Sequence, residues 1–357
     1  MTVEDARPAR AEMLLPCADL DETLAFFTGE LGFRIDTIFP ADDPAVAQLS
    51  GHGLNLRLER GADAEPGSLR ILCREPVADQ LTAPNGTRIE LVPADPPLVL
   101  PPVRQSLVVT EMADEAAWGV GRAGMRYRDL IPDRQGGRVI ASHIRIPDGG
   151  PVPDYVHFHK IHFQMIYCYR GWVRVVYEDQ GPPFVMQAGD CVLQPPEIRH
   201  RVLESSGGLD VIEIGVPAEH MTCVDHALSL PTAELRPTRD FGGQRFVRHE
   251  AQTAAWHPWH IGGFEARDTG IGAATDGLAG AKVARLAGPS PTEPAVYRHD
   301  GEFAFLFVLE GGMTLKAEGD RVLKTGDSVV LPAGRDYGIS GCTNDVELLE
   351  VTLPALG

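Results

Sequence analysis

The sequence predicts a mainly β protein in which two like β domains follow a small α+β module. Three observations predict it. From about residue 103 the chain is a succession of short strand-like runs punctuated by Gly and Pro, the pattern of an antiparallel sandwich or barrel. That stretch repeats itself after about 140 residues: Arg128-Asp129 matches Arg267-Asp268, and Tyr169-Arg-Gly171 matches Leu309-Glu-Gly311. Likewise Ala188-Gly-Asp-Cys-Val-Leu-Gln-Pro195 matches Thr325-Gly-Asp-Ser-Val-Val-Leu-Pro332. A period this long means a duplicated domain and not a solenoid. Before the repeat, the chain mixes a helix with strands.

The boundaries follow from proline. Pro93-Ala-Asp-Pro-Pro-Leu-Val-Leu-Pro-Pro102 can neither complete a ladder of backbone hydrogen bonds nor continue a helix, so 93–102 is a linker. A softer seam at Leu230 to Pro237 divides 103–230 from 231–357. Within 1–92, Glu12 to Cys17 reads as a strand. Asp19 caps an amphipathic helix that stops at a glycine. Strand-like runs follow at Arg34–Phe39, Ala45–Leu49, Leu54–Leu58 and Leu69–Cys73, and Asn85-Gly86 turns the chain into a last strand.

Composition narrows the function. Of 357 residues 43% are hydrophobic and 23% charged, as in a soluble globular protein, and the formal net charge is −18. Such a surface repels nucleic acid and anionic membranes, which points to a small-molecule substrate. No window holds 18 uninterrupted apolar residues, and the charged N-terminus lacks an apolar signal core. The six cysteines form no CxxC pair, so they are expected as buried free thiols in a reducing cytoplasm. A homodimer is the default oligomer.

The chemistry concentrates in Val156-His-Phe-His-Lys-Ile-His-Phe-Gln164 and Gly189-Asp-Cys-Val-Leu-Gln-Pro-Pro-Glu-Ile-Arg-His200. His157 and His159 are two apart, so on an extended strand both rings face the same side. Gln164 follows on the next strand, and His200 arrives from a returning one. Three imidazoles so placed suit one divalent transition metal. Gln164 is either a fourth ligand, a partner for a metal-bound water, or an orienter of a histidine. His162 is a candidate proton carrier near neutral pH, with Gln164 as a second. Arg199 and Tyr167 flank the motif as candidate contacts for a substrate, Arg199 for an anionic one.

Both segments fit the two motifs of the cupin superfamily. These are His-x-His, four residues, an acid, six residues and Gly, followed by Gly, five residues, Pro, three or four residues and His. Gln164 stands where the family has a glutamate and Glu197 where it has a loop glycine. The resemblance implies two jelly-roll β-barrels, and the duplicated layout resembles bicupins such as gentisate dioxygenase and quercetinase. In the second copy Tyr297, Ala304 and Tyr337 replace His157, Gln164 and His200, so only His299 survives and no metal is expected there. The cluster Trp256-His-Pro-Trp-His260 is expected to be packing or an interface. Residues 1–92 resemble a βαβββ module of the vicinal oxygen chelate (glyoxalase-like) family. That family's metal ligands would fall on Glu12 and Glu90, but the copy is shortened and an accessory role is expected.

These resemblances imply a mononuclear metal enzyme. The first expectation is an Fe(II) dioxygenase that cleaves a C–C bond of a small aromatic or enolic oxygenated substrate. The alternatives are a Zn(II), Mn(II) or Ni(II) isomerase, lyase or decarboxylase, or a non-catalytic binder.

Overall fold

In the computed structural model the chain divides into two units, Met1–Pro97 and Leu98–Gly357. The described residues are 9–75, 79–112, 118–121, 124–290 and 295–356, so the start of the charged N-terminal segment lies outside them. Among them no helix is long and apolar enough to cross a membrane. All six cysteines are free. Cys17, Cys168 and Cys191 are buried, whereas Cys73, Cys223 and Cys342 are only half-buried, which corrects the expectation of uniform burial.

In the N-terminal unit Asp19 accepts a hydrogen bond from the Glu22 amide at 3.0 Å and starts the helix Leu20–Gly29, with Asp21 and Glu22 in its positive first turn. Strand Met13–Cys17 pairs in parallel with Leu54–Arg60, and the sheet continues through Val46–Gly51 to Arg34–Phe39. Alternate residues of these strands, such as Leu49, Leu56 and Leu58, bury one face together with Phe27 of the helix. Strands Ser68–Cys73, Arg88–Pro93 and Asp79–Thr82 make a separate three-stranded sheet.

The larger unit holds two barrels. In the first, one sheet runs in the order Cys191–Leu193, Phe163–Arg170, Leu209–Val216, Ile140–Ile146, Arg126–Asp129 and Gly119–Val120. The second follows the same order with Ser328–Leu331, Phe303–Glu310, Glu347–Leu353, Gly280–Leu286, Phe264–Asp268 and His257–Pro258. Facing sheets built on Trp172–Tyr177 and Gly312–Lys316 close the two barrels.

The segments 103–230 and 231–357 do not close on themselves. Val108–Thr110, which leads into the first barrel, pairs with Ser328–Leu331 of the second. Val247–His249, which leads into the second, pairs with Cys191–Leu193 of the first. The repeated Gly-Asp fastens both exchanges. Asp190 accepts from the Ala251 amide at 2.8 Å, and Asp327 accepts from the Met112 amide at 2.6 Å. Gly189 and Gly326 before them take φ of +96° and +91°, where a Cβ on Gly326 would also strike Met112. Between the barrels lies a shared apolar core. Period-two alternation sends Phe163, Met165 and Tyr167 into it from one side and Phe303, Phe305 and Phe307 from the other.

Candidate metal centre

Strand pairing assembles the three histidines. His157 and His200 are direct register partners on antiparallel strands, and His159 is the partner of Thr222 on the other side of strand His157–Lys160. Ring centroids stand 4.3 Å apart for His157 and His200, 5.3 Å for His157 and His159, and 5.4 Å for His159 and His200. One ligand atom from each lies within 4.8 Å of the others. Among the described residues this is the one such group of His, Cys, Asp or Glu.

The partners of the rings decide which nitrogens face inward. His157 Nδ1 bonds the Tyr155 carbonyl at 2.8 Å, and His200 Nδ1 bonds the Ile198 carbonyl at 3.0 Å. A carbonyl only accepts, so each Nδ1 carries the proton and Nε2 is the basic nitrogen. His159 Nδ1 meets the Thr222 hydroxyl at 3.0 Å, which suits the same arrangement. Buried Asp154 stands 3.6 Å from His157 Nδ1 and accepts the Val202 amide. These outer contacts fix ring orientation and tautomer before any ion arrives, and three neutral imidazoles fit a divalent transition metal.

Gln164 joins the triad through a chain of side chains. Its Nε2 donates to Glu213 Oε1 at 2.5 Å, and its Oε1 accepts from Gln194 Nε2 at 3.1 Å. Gln194 Oε1 in turn accepts from the Tyr177 hydroxyl at 2.6 Å. The carboxylate at one end and the phenol at the other set both amide orientations. Tyr177 is buried, stacks on His200 with centroids 5.4 Å apart, and burial pushes its phenol pKa well up, so it stays a donor.

The triad sits at one end of a cavity of about 360 Å³, at the small end of ligand pockets. Gln164, Gln194, Glu213, His220 and Thr222 share that polar end. The body is apolar, with Ile146, Ile166, Val175, Met186, Leu209 and Val211 among its walls. His220 Nδ1 bonds the Pro217 carbonyl at 3.0 Å, which leaves its Nε2 as an acceptor.

Three residues expected at the site are elsewhere, none of them lining the cavity. Tyr167 is on the opposite face of its strand from Gln164, in the core between barrels, where Arg267 Nη2 approaches its hydroxyl at 3.5 Å. Arg199 lies over the Phe158 ring at 4.0 Å and donates to Asp225 at 3.3 Å, so its charge is already engaged. His162 follows the strand turn; burial and then Arg138 pull its pKa down, and its carbonyl accepts from Gln244. None of the three is positioned to touch a ligand at the triad. Glu213, Gln194, Tyr177, His220 and Thr222 were not expected there. A signal for Glu213 exists: a lone acid in the apolar run Val211-Ile-Glu-Ile214, repeated as Glu350 in Leu348-Leu-Glu-Val351.

The second barrel keeps the frame and not the site. Tyr297 bridges Tyr337 as His157 pairs with His200. His299 Nε2 bonds the Leu331 carbonyl at 2.8 Å, so the proton sits on the nitrogen that its counterpart His159 would use as a ligand. Trp259 and His260, expected as packing or an interface, close on Glu350: Trp259 Nε1 donates to it at 3.1 Å and His260 Nε2 stands 3.6 Å away. In the N-terminal unit Glu12 accepts from Gln48 at 3.0 Å and Glu90 from Arg70 at 2.7 Å, and neither belongs to a metal-ligating group.

Residues 286–352, within the second barrel, match the family model described as Cupin domain. A comparison with curated proteins finds no match. Among solved structures, salicylate 1,2-dioxygenase from Pseudaminobacter salicylatoxidans is similar with a TM-score of 0.53 at 16% identity, over 71% of this chain and 86% of that one. A mutant of Bacillus subtilis oxalate decarboxylase OxdC gives 0.51 at 11% identity, over 74% and 80%. Protein Ylba from E. coli gives 0.51 at 10% identity, over 71% and 93%. At these identities the likeness concerns the fold alone. Residues 286–352 thus match a cupin domain, the barrel that holds the histidines repeats the strand order of that barrel, and the chain shares the fold of these solved structures.

Proposed function

We propose that the larger unit is a mononuclear metal-dependent bicupin enzyme, an Fe(II) dioxygenase cleaving a C–C bond of a small aromatic or enolic oxygenated substrate. The observation that carries this reading is the inward-facing set of His157, His159 and His200, with two carbonyls holding the Nδ1 protons outward, at the end of a ligand-sized cavity. His157, His159 and His200 would hold Fe(II) through neutral nitrogens, and the ion would supply Lewis acidity and a redox couple. The protein does the rest. The triad sets the ligand field, and the Tyr177–Gln194–Gln164–Glu213 chain presents fixed dipoles beside it. The apolar walls give a ligand's hydrocarbon body a surface to bury against.

The fold likeness to a dioxygenase and to a decarboxylase is compatible with more than one reaction, so the test is the metal and the oxygen. The protein is purified aerobically and anaerobically, its metal measured by mass spectrometry, and oxygen uptake followed with catechols and enols. Iron with substrate-dependent uptake is the expected result. Zinc, manganese or nickel without uptake would replace the dioxygenase with a non-oxidative isomerase, lyase or decarboxylase, and absence of any metal would leave a non-catalytic binder. Residues 1–92 enter this reading as a glyoxalase-like accessory module, supported by the order strand, helix and three strands.

A further inference from the structure

Every charged side chain that lines the cavity matters to what can enter it, and among the described lining residues there is one acid, Glu213, and no Lys or Arg. The cations nearby are committed outside. Arg199 is on Asp225, and Arg145 makes a two-pronged pair with buried Asp210 at 2.7 and 3.0 Å while covering the Trp118 ring. The walls beyond the triad are mostly Ile, Val, Leu and Met, and the polar side chains among them, Tyr127, Ser142 and Tyr177, carry hydroxyls and no positive charge. A carboxylate or phosphate on the body of a ligand, away from the triad, would therefore be stripped of water against largely apolar walls, with no Lys or Arg to pair with, in the same cavity as Glu213. Polar atoms at the triad end meet a different surface: Gln164 and Gln194 amides, the Thr222 hydroxyl and His220 Nε2 are all there.

We propose that the site takes small molecules with an uncharged, largely hydrocarbon body whose oxygens are confined to one end, and that it rejects those carrying a carboxylate on the body. This rests on the reading of the site as a metal centre that receives an oxygenated substrate. It separates the protein from what its structural neighbours are named for, since salicylate and oxalate are both carboxylates.

The test uses a matched pair with one head and two tails: 4-propylcatechol, and 3-(3,4-dihydroxyphenyl)propanoate, in which the terminal methyl is a carboxylate. Binding of each to full-length protein loaded with redox-inert Zn(II) is measured by calorimetry. The neutral catechol is expected to bind at least tenfold more tightly, and Glu213→Gln should narrow that ratio. Equal or tighter binding of the carboxylate, or no binding of either, would overturn the proposal. The wild-type ratio alone decides it if the variant does not fold. Failure of the dioxygenase reading looks different: the preference for the neutral ligand stands, yet the iron-loaded protein takes up no oxygen.

Discussion

His157 lies opposite His200 in the first barrel, and Tyr297 opposite Tyr337 across the corresponding contact in the second. Around these pairs the strand order is identical, and the Gly-Asp fastening is repeated. The contents have been exchanged. Glu213 and Glu350 hold equivalent places, beside Ile166 and Leu306 of the neighbouring strands. Across the other strand Glu213 faces Ser142, whereas Glu350 faces Lys282. Gly121 and Tyr127 of the first barrel correspond to Trp259 and Ala266 of the second, so the bulk moved from one strand to its neighbour and the Trp now closes on Glu350. The comparison teaches that the scaffold depends on backbone pairing and apolar alternation, which tolerate loss of the ligands. The chemistry depends on a few inward positions.

The sharpest break between the barrels concerns metal retention. His157→Ala and His200→Ala each leave two imidazoles and are expected to lose bound metal through extensive dialysis. His299→Ala should retain the wild-type content, because its Nε2 is spent on the Leu331 carbonyl. Equal loss from all three, read by mass spectrometry, would mean that the barrels are not functionally distinct.

A second contrast is in pH dependence. Burial raises the Glu350 carboxyl to about 7, against the pull of Trp259 and Lys282. Below its ordinary value the group is protonated folded or unfolded. Above that, the unfolded chain releases a proton that the folded one keeps, so stability falls until the pH passes about 7. His260, held down at about 4 by burial and then Lys282, stays neutral through most of that window, and Tyr337 is pushed up. Glu350→Gln is therefore expected to gain up to about 3 kcal/mol over wild type between pH 5 and pH 8 in urea denaturation. A Glu350→Gln variant that gains nothing over that range would mean that the second barrel does not hold this carboxyl neutral.

The fastening should be symmetric where the chemistry is not. Asp190 accepts the Gln187 and Ala251 amides, and Asp327 those of Lys324 and Met112. Replacing either by Ala strands two backbone donors and is expected to cost about 1–3 kcal/mol, similarly in both barrels, by denaturant midpoint. A cost confined to one would show that only one exchanged strand matters.

Much of this was legible because it is local. Asp19, the helix and the glycine stop encode one element, and His-x-His encodes a shared face by period two. The same parity already put Tyr167 on the opposite face from Gln164, and Arg199 next to inward His200 on a face of its own. Alternation along the strand, more than chemical type, decides which side chains reach the cavity. Glu213 was hidden for another reason, since its meaning depends on Gln164, 49 residues away. The strand exchange left no trace at all: Val108–Thr110 finds its partner more than 200 residues on, and nothing in three apolar residues names it.

The smallest expected effect comes from a turn that the two barrels solve differently. Glu197 has φ +60° and its amide bonds the His159 carbonyl at 3.1 Å. Gly334 has φ +69° and bonds the His299 carbonyl at 2.8 Å in the same place. The left-handed conformation costs a side chain about 1–2 kcal/mol. Glycine avoids this but makes the unfolded chain freer, which costs about 0.5–1 kcal/mol. The first magnitude exceeds the second, so Glu197→Gly should stabilise by about 0.5–1 kcal/mol and Gly334→Glu should destabilise by a like amount. Thermal unfolding of both variants checks the pair. A destabilising Glu197→Gly would mean that the glutamate side chain does something for the metal barrel that glycine cannot, and metal content of that variant would then be the next measurement.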